Sequence, residues 1–196
     1  NGKPRDSNYR YVLIREWKHH VARKHNLSGQ VNFIMLNPST ATETEWDPTV
    51  RRCAGYAYDW GFKSLAVTNL FAYRATDPEY LYHADRPEAE KIEGRADTDN
   101  TAYDHNLECI HRIARDSKLV VCAWGNHGQY KDRGKVVLEV LHRQRIVPAA
   151  LTVTKAGEPG HPLYLSKDLQ PCPINTFEES KYNFLSDPGQ INFVSP

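Results

Sequence analysis

Four short apolar runs, each closed at its carboxyl end by a polar loop, constrain this chain more than any other feature. They are Val31–Leu36 before Asn37-Pro38-Ser39-Thr40, Ser64–Leu70 with Asn69 near its end, Lys118–Trp124 before Gly125-Asn126-His127-Gly128, and Ala149–Val153 leading toward His161. Runs that are nearly continuous in apolar residues, rather than alternating, suit strands covered on both faces. Between them lie stretches of helical spacing. Val50, Cys53, Ala54, Ala57 and Trp60 recur at helical intervals before the stop at Gly61, a helix is expected from about Tyr103 to Asp116, and another from Arg133 to Arg143 turns Val136, Val137, Val140 and Leu141 to one face. Strand, helix, strand in this order predicts crossover units and a parallel sheet.

The flanks are less regular. Tyr9–Trp17 has the β-branched and aromatic content of an outer strand, and the basic stretch Lys18–Lys24 reads as a solvated turn in preference to a DNA-contacting patch. The segment from Asp85 to Asn100 is polar and charged, as expected of a long surface excursion, and the tail beyond Pro171 shows no clear period.

At 196 residues the chain has room for one full core, so a single domain over 1–196 is expected. No apolar run reaches the ~18 residues that span a bilayer, and Asn1–Arg10 lacks the apolar centre of a signal peptide, which together predict a cytoplasmic protein with no membrane partner. Cys53, Cys109, Cys122 and Cys172 are scattered and read as reduced thiols; the nine histidines include no His-x-x-x-His pair with an acidic partner, so neither metal nor other cofactor is expected. A net charge of +1 supplies no global attraction to a polyanion, so contact with DNA must come from local patches.

In open α/β sheets ligands bind beyond the carboxyl ends of the strands, which would bring Asn37, Asn69, Asn126 and His161 together. Each also has a structural reading. Asn37-Pro38 is a natural strand-ending turn, and Asp47-Pro48-Thr49 has the form of a helix start, with Asp as N-cap and Pro at the first position. Asn69 could simply cap a turn, and Phe71, Tyr73 and Trp124 are of types more often found in cores.

Four segments carry a resemblance: Asn37-Pro38-Ser39-Thr40-Ala41, Asp47–Cys53, Asn69–Pro78 and His161-Pro162-Leu163-Tyr164-Leu165. Together they resemble the family catalogued as domain of unknown function 1643. Asn37-Pro38, Asn69-Leu70-Phe71 with Arg74-Ala75-Thr76, and His161-Pro162-Leu163 are similar, in order and setting, to motifs of the uracil-DNA-glycosylase superfamily, closest to its mismatch-directed uracil/thymine branch. That resemblance implies a three-layer α/β/α sandwich around a central, mainly parallel four-stranded sheet. It implies a monofunctional DNA glycosylase that cuts the base–sugar bond of a flipped pyrimidine, in repair or in defence against modified phage DNA.

The resemblance implies roles for particular residues. Asn37 orients the attacking water and His161 donates to the leaving base, with Asp47 a carboxylate near the developing sugar cation. Asn69 reads the base edge; Phe71, Tyr73, Pro38, Ser39, Trp124 and Asn126 are candidate walls or stacking platforms. Arg51, Arg52, Arg74 and Lys155 are candidate phosphate partners, and Leu163, Tyr164 and Leu165 could fill the gap left in the DNA.

Two departures matter. Ser39 stands where uracil-specific enzymes carry a bulky Tyr against C5 of the base, which implies tolerance of C5-modified pyrimidines; Asn37 stands where fast uracil enzymes carry Asp. The same pocket would also suit hydrolysis of a free nucleoside or nucleotide, or a catalytically silent nucleic-acid-binding module.

Overall fold

In the computed structural model the described residues are 9–39, 46–75, 77–81, 105–175 and 183–184. The expected excursion at 85–100 therefore lies outside them. The central strands are β2 (Gln30–Met35), β3 (Ser64–Asn69), β4 (Leu119–Cys122) and β5 (Ala149–Ala150), all mutually parallel in the order β3-β2-β4-β5.

The sheet is wider than those four strands and is mixed. β1 (Val12–Glu16) runs antiparallel to β3 along one edge, as its outer-strand composition suggested. β6 (Cys172–Asn175), in a tail without sequence period, runs antiparallel to β5 at the other edge, and the two-residue β7 (Asn183–Phe184) pairs with β6. Two-residue pairings leave almost no side-chain pattern to read.

Among the described residues four α-helices accompany the strands: α1 (His19–Lys24), α2 (Pro48–Asp59), α3 (His105–Arg115) and α4 (Arg133–Arg143). Along β2, Val31, Phe33 and Met35 join the α2 residues Val50, Cys53, Ala54 and Ala57 in one core cluster. Ile34 and Leu36 belong to a second cluster with Ile110 of α3 and Val137, Leu138 and Leu141 of α4. Helices thus cover both sheet faces. That is why β2 is buried at Val31 through Met35 and reads as a nearly continuous apolar run, broken only by the buried Asn32.

Local chemistry sets the boundaries of α2. The Asp47 side chain accepts from the Val50 N–H at 2.8 Å, Pro48 occupies the first turn, and Gly61 follows the helix at φ 87°. Three expectations need correction. Lys18–Lys24 is not a turn but largely the helix α1, which has no buried residue and is closed by Arg23 and Lys24 in its last turn. In α4 the buried face is Gly134, Val137, Leu138 and Leu141, while Val136 is exposed; five neighbouring apolar residues allow two rotations of the helix, and packing against the sheet selects one. The strand expected over Ala149–Val153 ends at Ala150, because Val153 pairs with Pro159 in a separate antiparallel bridge.

Candidate functional site

The chain leaves β2 for α2 on one face of the sheet and β4 for α4 on the other. Since β2 and β4 are neighbours, their carboxyl ends diverge and open a crevice, the place where open α/β sheets bind ligands. A cavity of about 620 Å³ occupies it, within the range typical of small-molecule sites. Asn37, Pro38 and Ser39 reach it from β2, Asn69 from β3, Trp124 and Asn126 from β4, Asp47 from the start of α2, and His161, Leu163 and Tyr164 from the segment after β5.

Asn37 is fixed through one end of its amide. Nδ2 donates to the Ala75 carbonyl at 2.7 Å and to the Pro38 carbonyl at 3.3 Å, which leaves Oδ1 without a donor among the described residues. The bonds define the amide orientation. Asn37 lines the cavity wall, with its amide oxygen unused by the described residues.

Asp47 caps α2 through Oδ1, and its Oδ2 accepts from Ser39 Oγ at 2.9 Å. The capping reading holds for Asp47, and the same residue lines the cavity. Ser39 points its hydroxyl at this carboxylate, and Arg74 donates from Nε to the Ser39 carbonyl at 3.4 Å.

His161 is presented by a tight hairpin. Thr154 N–H donates to the Glu158 carbonyl at 2.8 Å and Gly160 N–H to the Thr152 carbonyl at 2.8 Å. A Cβ at Gly160 would lie 2.1 Å from Thr152 Oγ1, so only glycine permits that approach. Nδ1 of His161 accepts from the Leu163 N–H at 3.4 Å, which places the proton of the neutral ring on Nε2. Burial holds the imidazole pKa below its usual value against an opposing pull from Asp47, so the neutral form predominates at pH 7.

Asn69 is buried and lines the cavity. Asn106 of α3 donates from Nδ2 to the Asn69 and Leu70 carbonyls at 2.9 and 3.0 Å, and the buried Arg133 donates from Nε to the Leu70 carbonyl at 3.0 Å. Two residues distant in sequence thus hold the end of β3. Neither carried a local signal.

Trp124 is a wall, not an open platform: it is 1 % exposed, and its indole Nε1 donates to Glu158 Oε2 at 2.7 Å. Burial raises the Glu158 pKa, an effect that hydrogen bonds from Trp124 and Gln129 partly oppose. Asn126 Oδ1 accepts from Thr154 Oγ1 at 2.6 Å, tying the loop after β4 to the His161 hairpin. Arg10, Thr49, Cys53 and Thr154 also line the cavity without having been singled out as site residues, and His127, beside Asn126 in the Gly-flanked loop after β4, lines it as well. Glu158, three residues before His161, was missed as well; its one signal in the sequence is its place in the loop that carries His161.

Other candidates lie elsewhere. Phe71 is buried in the core beside Tyr130, with ring centroids 5.8 Å apart, because the chain turns inward immediately after β3. Tyr73 packs edge-on against Tyr9 at 5.8 Å, outside the cavity. Leu165 packs on the core cluster under α2 instead of standing free, and Lys155 is exposed on the hairpin, beyond the cavity lining. Arg51 and Arg52 lie on the solvent side of α2, in the wall of a neighbouring hollow. Thr40, Ala41 and Thr76 fall outside the described residues.

Among the described residues no group of three His, Cys, Asp or Glu side chains is placed to hold a metal ion, and no helix is long and apolar enough to cross a membrane. A sequence model of the family described as "Protein of unknown function (DUF1643)" matches residues 10–163. No curated protein and no solved structure matches the chain.

Proposed function

The chain belongs to the DUF1643 family, and we propose that it is a monofunctional DNA glycosylase acting on a flipped, C5-modified pyrimidine nucleotide. The observation that carries the reading is the convergence of Asn37, Asp47, Asn69 and His161, from four separate segments, on one cavity. Breaking the bond between C1′ and the base nitrogen leaves positive charge on the sugar and negative charge on the base.

Asn37 Oδ1 accepts a hydrogen from the attacking water and aims its oxygen at C1′, the role its anchored amide suits. His161 donates from Nε2 to a base oxygen as charge builds there; a neutral imidazole suffices for this hydrogen bond. The bonding pair leaves with the base, the water oxygen forms the new bond to C1′, and the water's proton passes to solvent. Asn69 offers both a donor and an acceptor to the Watson–Crick edge. Asp47 places its carboxylate at the cavity wall, facing the sugar cation.

Ser39 supports the choice of substrate. Its small side chain, turned to Asp47, leaves space where a bulky residue would exclude a C5 substituent. The test is base release from oligonucleotides carrying uracil, a thymine mismatch, 5-hydroxymethylcytosine or its glucosylated form, followed by alkaline cleavage at abasic sites. Cleavage confined to C5-substituted bases and lost in Asn37→Ala is expected. Uracil released far faster than every C5-substituted base would refute the substrate assignment, and no release from any member would refute the activity.

A further inference from the structure

Beside the cavity lies a second hollow of about 580 Å³, on the solvent side of α2. The two share Leu163, which stands as the partition between them. Arg51 and Arg52, from α2, and Lys167, from the segment beyond His161, set three cations in its wall against one carboxylate, Asp59. None of the three cations has a carboxylate within ion-pair distance among the described residues. In a chain whose net charge is only +1, this is a local concentration of positive potential.

The same hollow contains an aromatic surface. Trp46 lines it and is 41 % exposed, with the Arg15 guanidinium 5.5 Å from its ring centroid; Tyr164, 89 % exposed, stands on the neighbouring rim of the first cavity. The floor is firm, because Tyr56 Oη donates to the Ser166 carbonyl and Trp60 Nε1 to the Leu169 carbonyl at 3.3 Å, mooring residues 166–169 to α2. Cations that track a phosphate backbone, interleaved with open aromatic faces, are the physical requirements of a single-strand site.

We infer that this second hollow receives the strand segment adjoining the nucleotide held in the first cavity, and that the substrate is a single-stranded polynucleotide. The inference rests on the glycosylase reading for what occupies the first cavity. A free nucleoside has no use for the second compartment. A paired base has both faces stacked and cannot offer one to Trp46, whereas an unpaired neighbour can stack there while Arg51, Arg52 and Lys167 take its phosphates.

The experiment is fluorescence anisotropy with an end-labelled twelve-residue oligothymidylate, titrated at several salt concentrations, with a fully paired duplex of the same length as comparison. Wild type is expected to prefer the single strand by roughly tenfold or more, with a log–log salt slope of about −2, from about 0.7 for each of three phosphates. Reversing Arg51 and Arg52 together to Glu reduces the slope to about −0.7, and Trp46→Ala weakens binding roughly tenfold while Trp46→Phe restores most of it. Lys135→Glu combined with Arg143→Glu, two exposed charges on α4, matches the change in net charge and serves as control. A duplex bound as tightly as the single strand, or groove variants within twofold of wild type and melting normally, would overturn the inference.

Base release measured on the same variants separates the two readings. Lost binding in the groove variants with no release from any base leaves the groove standing and removes catalysis. Normal release with unaffected groove variants does the reverse.

Discussion

Replacing Asp47 by Ala and by Asn separates the capping role of its carboxylate from the role of its charge. In Asp47→Ala the Val50 N–H loses its cap and Ser39 Oγ loses its acceptor. The cap contributes about 1 kcal/mol, and the part-exposed hydroxyl–carboxylate bond about 1 kcal/mol more. For a chain of 196 residues a loss of about 2 kcal/mol lowers the melting temperature by about 4–8 °C. Asparagine caps as well as aspartate and can still meet Ser39, so Asp47→Asn is expected to lose less than about 2 °C. Base release should respond differently. With the charge gone from the cavity wall, Asp47→Asn is expected to slow release at least roughly tenfold, about 1.4 kcal/mol in the barrier. Thermal melts followed by circular dichroism and single-turnover base release are the two assays. If Asp47→Asn melts as low as Asp47→Ala, the capping argument is wrong; if it releases base at the wild-type rate, the electrostatic argument is wrong.

Three further outcomes follow from the same geometry. The pKa of His161 is held below its usual value by burial, so release should be level above pH 6.5 and fall only on the acid side of it; Asp47→Asn, which removes the opposing pull, should move that limb to still lower pH, and activity that rises toward acid would contradict a neutral donor. Glu158 has a raised pKa, so its folded form holds a proton more tightly than the unfolded chain; its contribution to stability is full below pH 4.5 and is lost as pH rises through the folded value. Urea titrations at stepped pH should show that loss in wild type and not in Glu158→Gln, and identical pH dependence in both would rule the explanation out. A Cβ at Gly128 would meet Trp124 Cδ1 at 2.0 Å, so Gly128→Ala should destabilise the fold by about 1–3 kcal/mol and displace the cavity wall, a change visible in tryptophan near-ultraviolet circular dichroism; an unaltered spectrum and midpoint would show that the loop gives way instead.

The four parallel strands were legible because burial on both faces writes short, nearly continuous apolar runs into the sequence, and α2 was legible because its cap, its first-turn proline and its terminal glycine are local chemistry. The same logic made the polar ends at Asn37, Asn69, Asn126 and His161 readable as one cavity edge before any geometry was known. What escaped was decided at a distance. The rotation of α4 depends on which apolar stripe meets the sheet, and the last strands β6 and β7 are held by antiparallel pairing that no alternation announces. Phe71, Tyr73 and Leu165 are aromatic or apolar residues beside the right motifs, yet their side chains go to the core or to neighbouring rings, since burying them there removes more apolar surface from water than exposing them at a cavity mouth. The supports of the site, Asn106 and Arg133 at the end of β3 and Glu158 behind Trp124, bond to partners more than thirty residues away. Sequence by itself determined which segments become strands and which polar residues end them, because those choices rest on neighbours along the chain; only the tertiary structure decided which side chains face the cavity and what holds them there, because a hydrogen bond or a buried face is a relation between segments that the chain brings together only when folded.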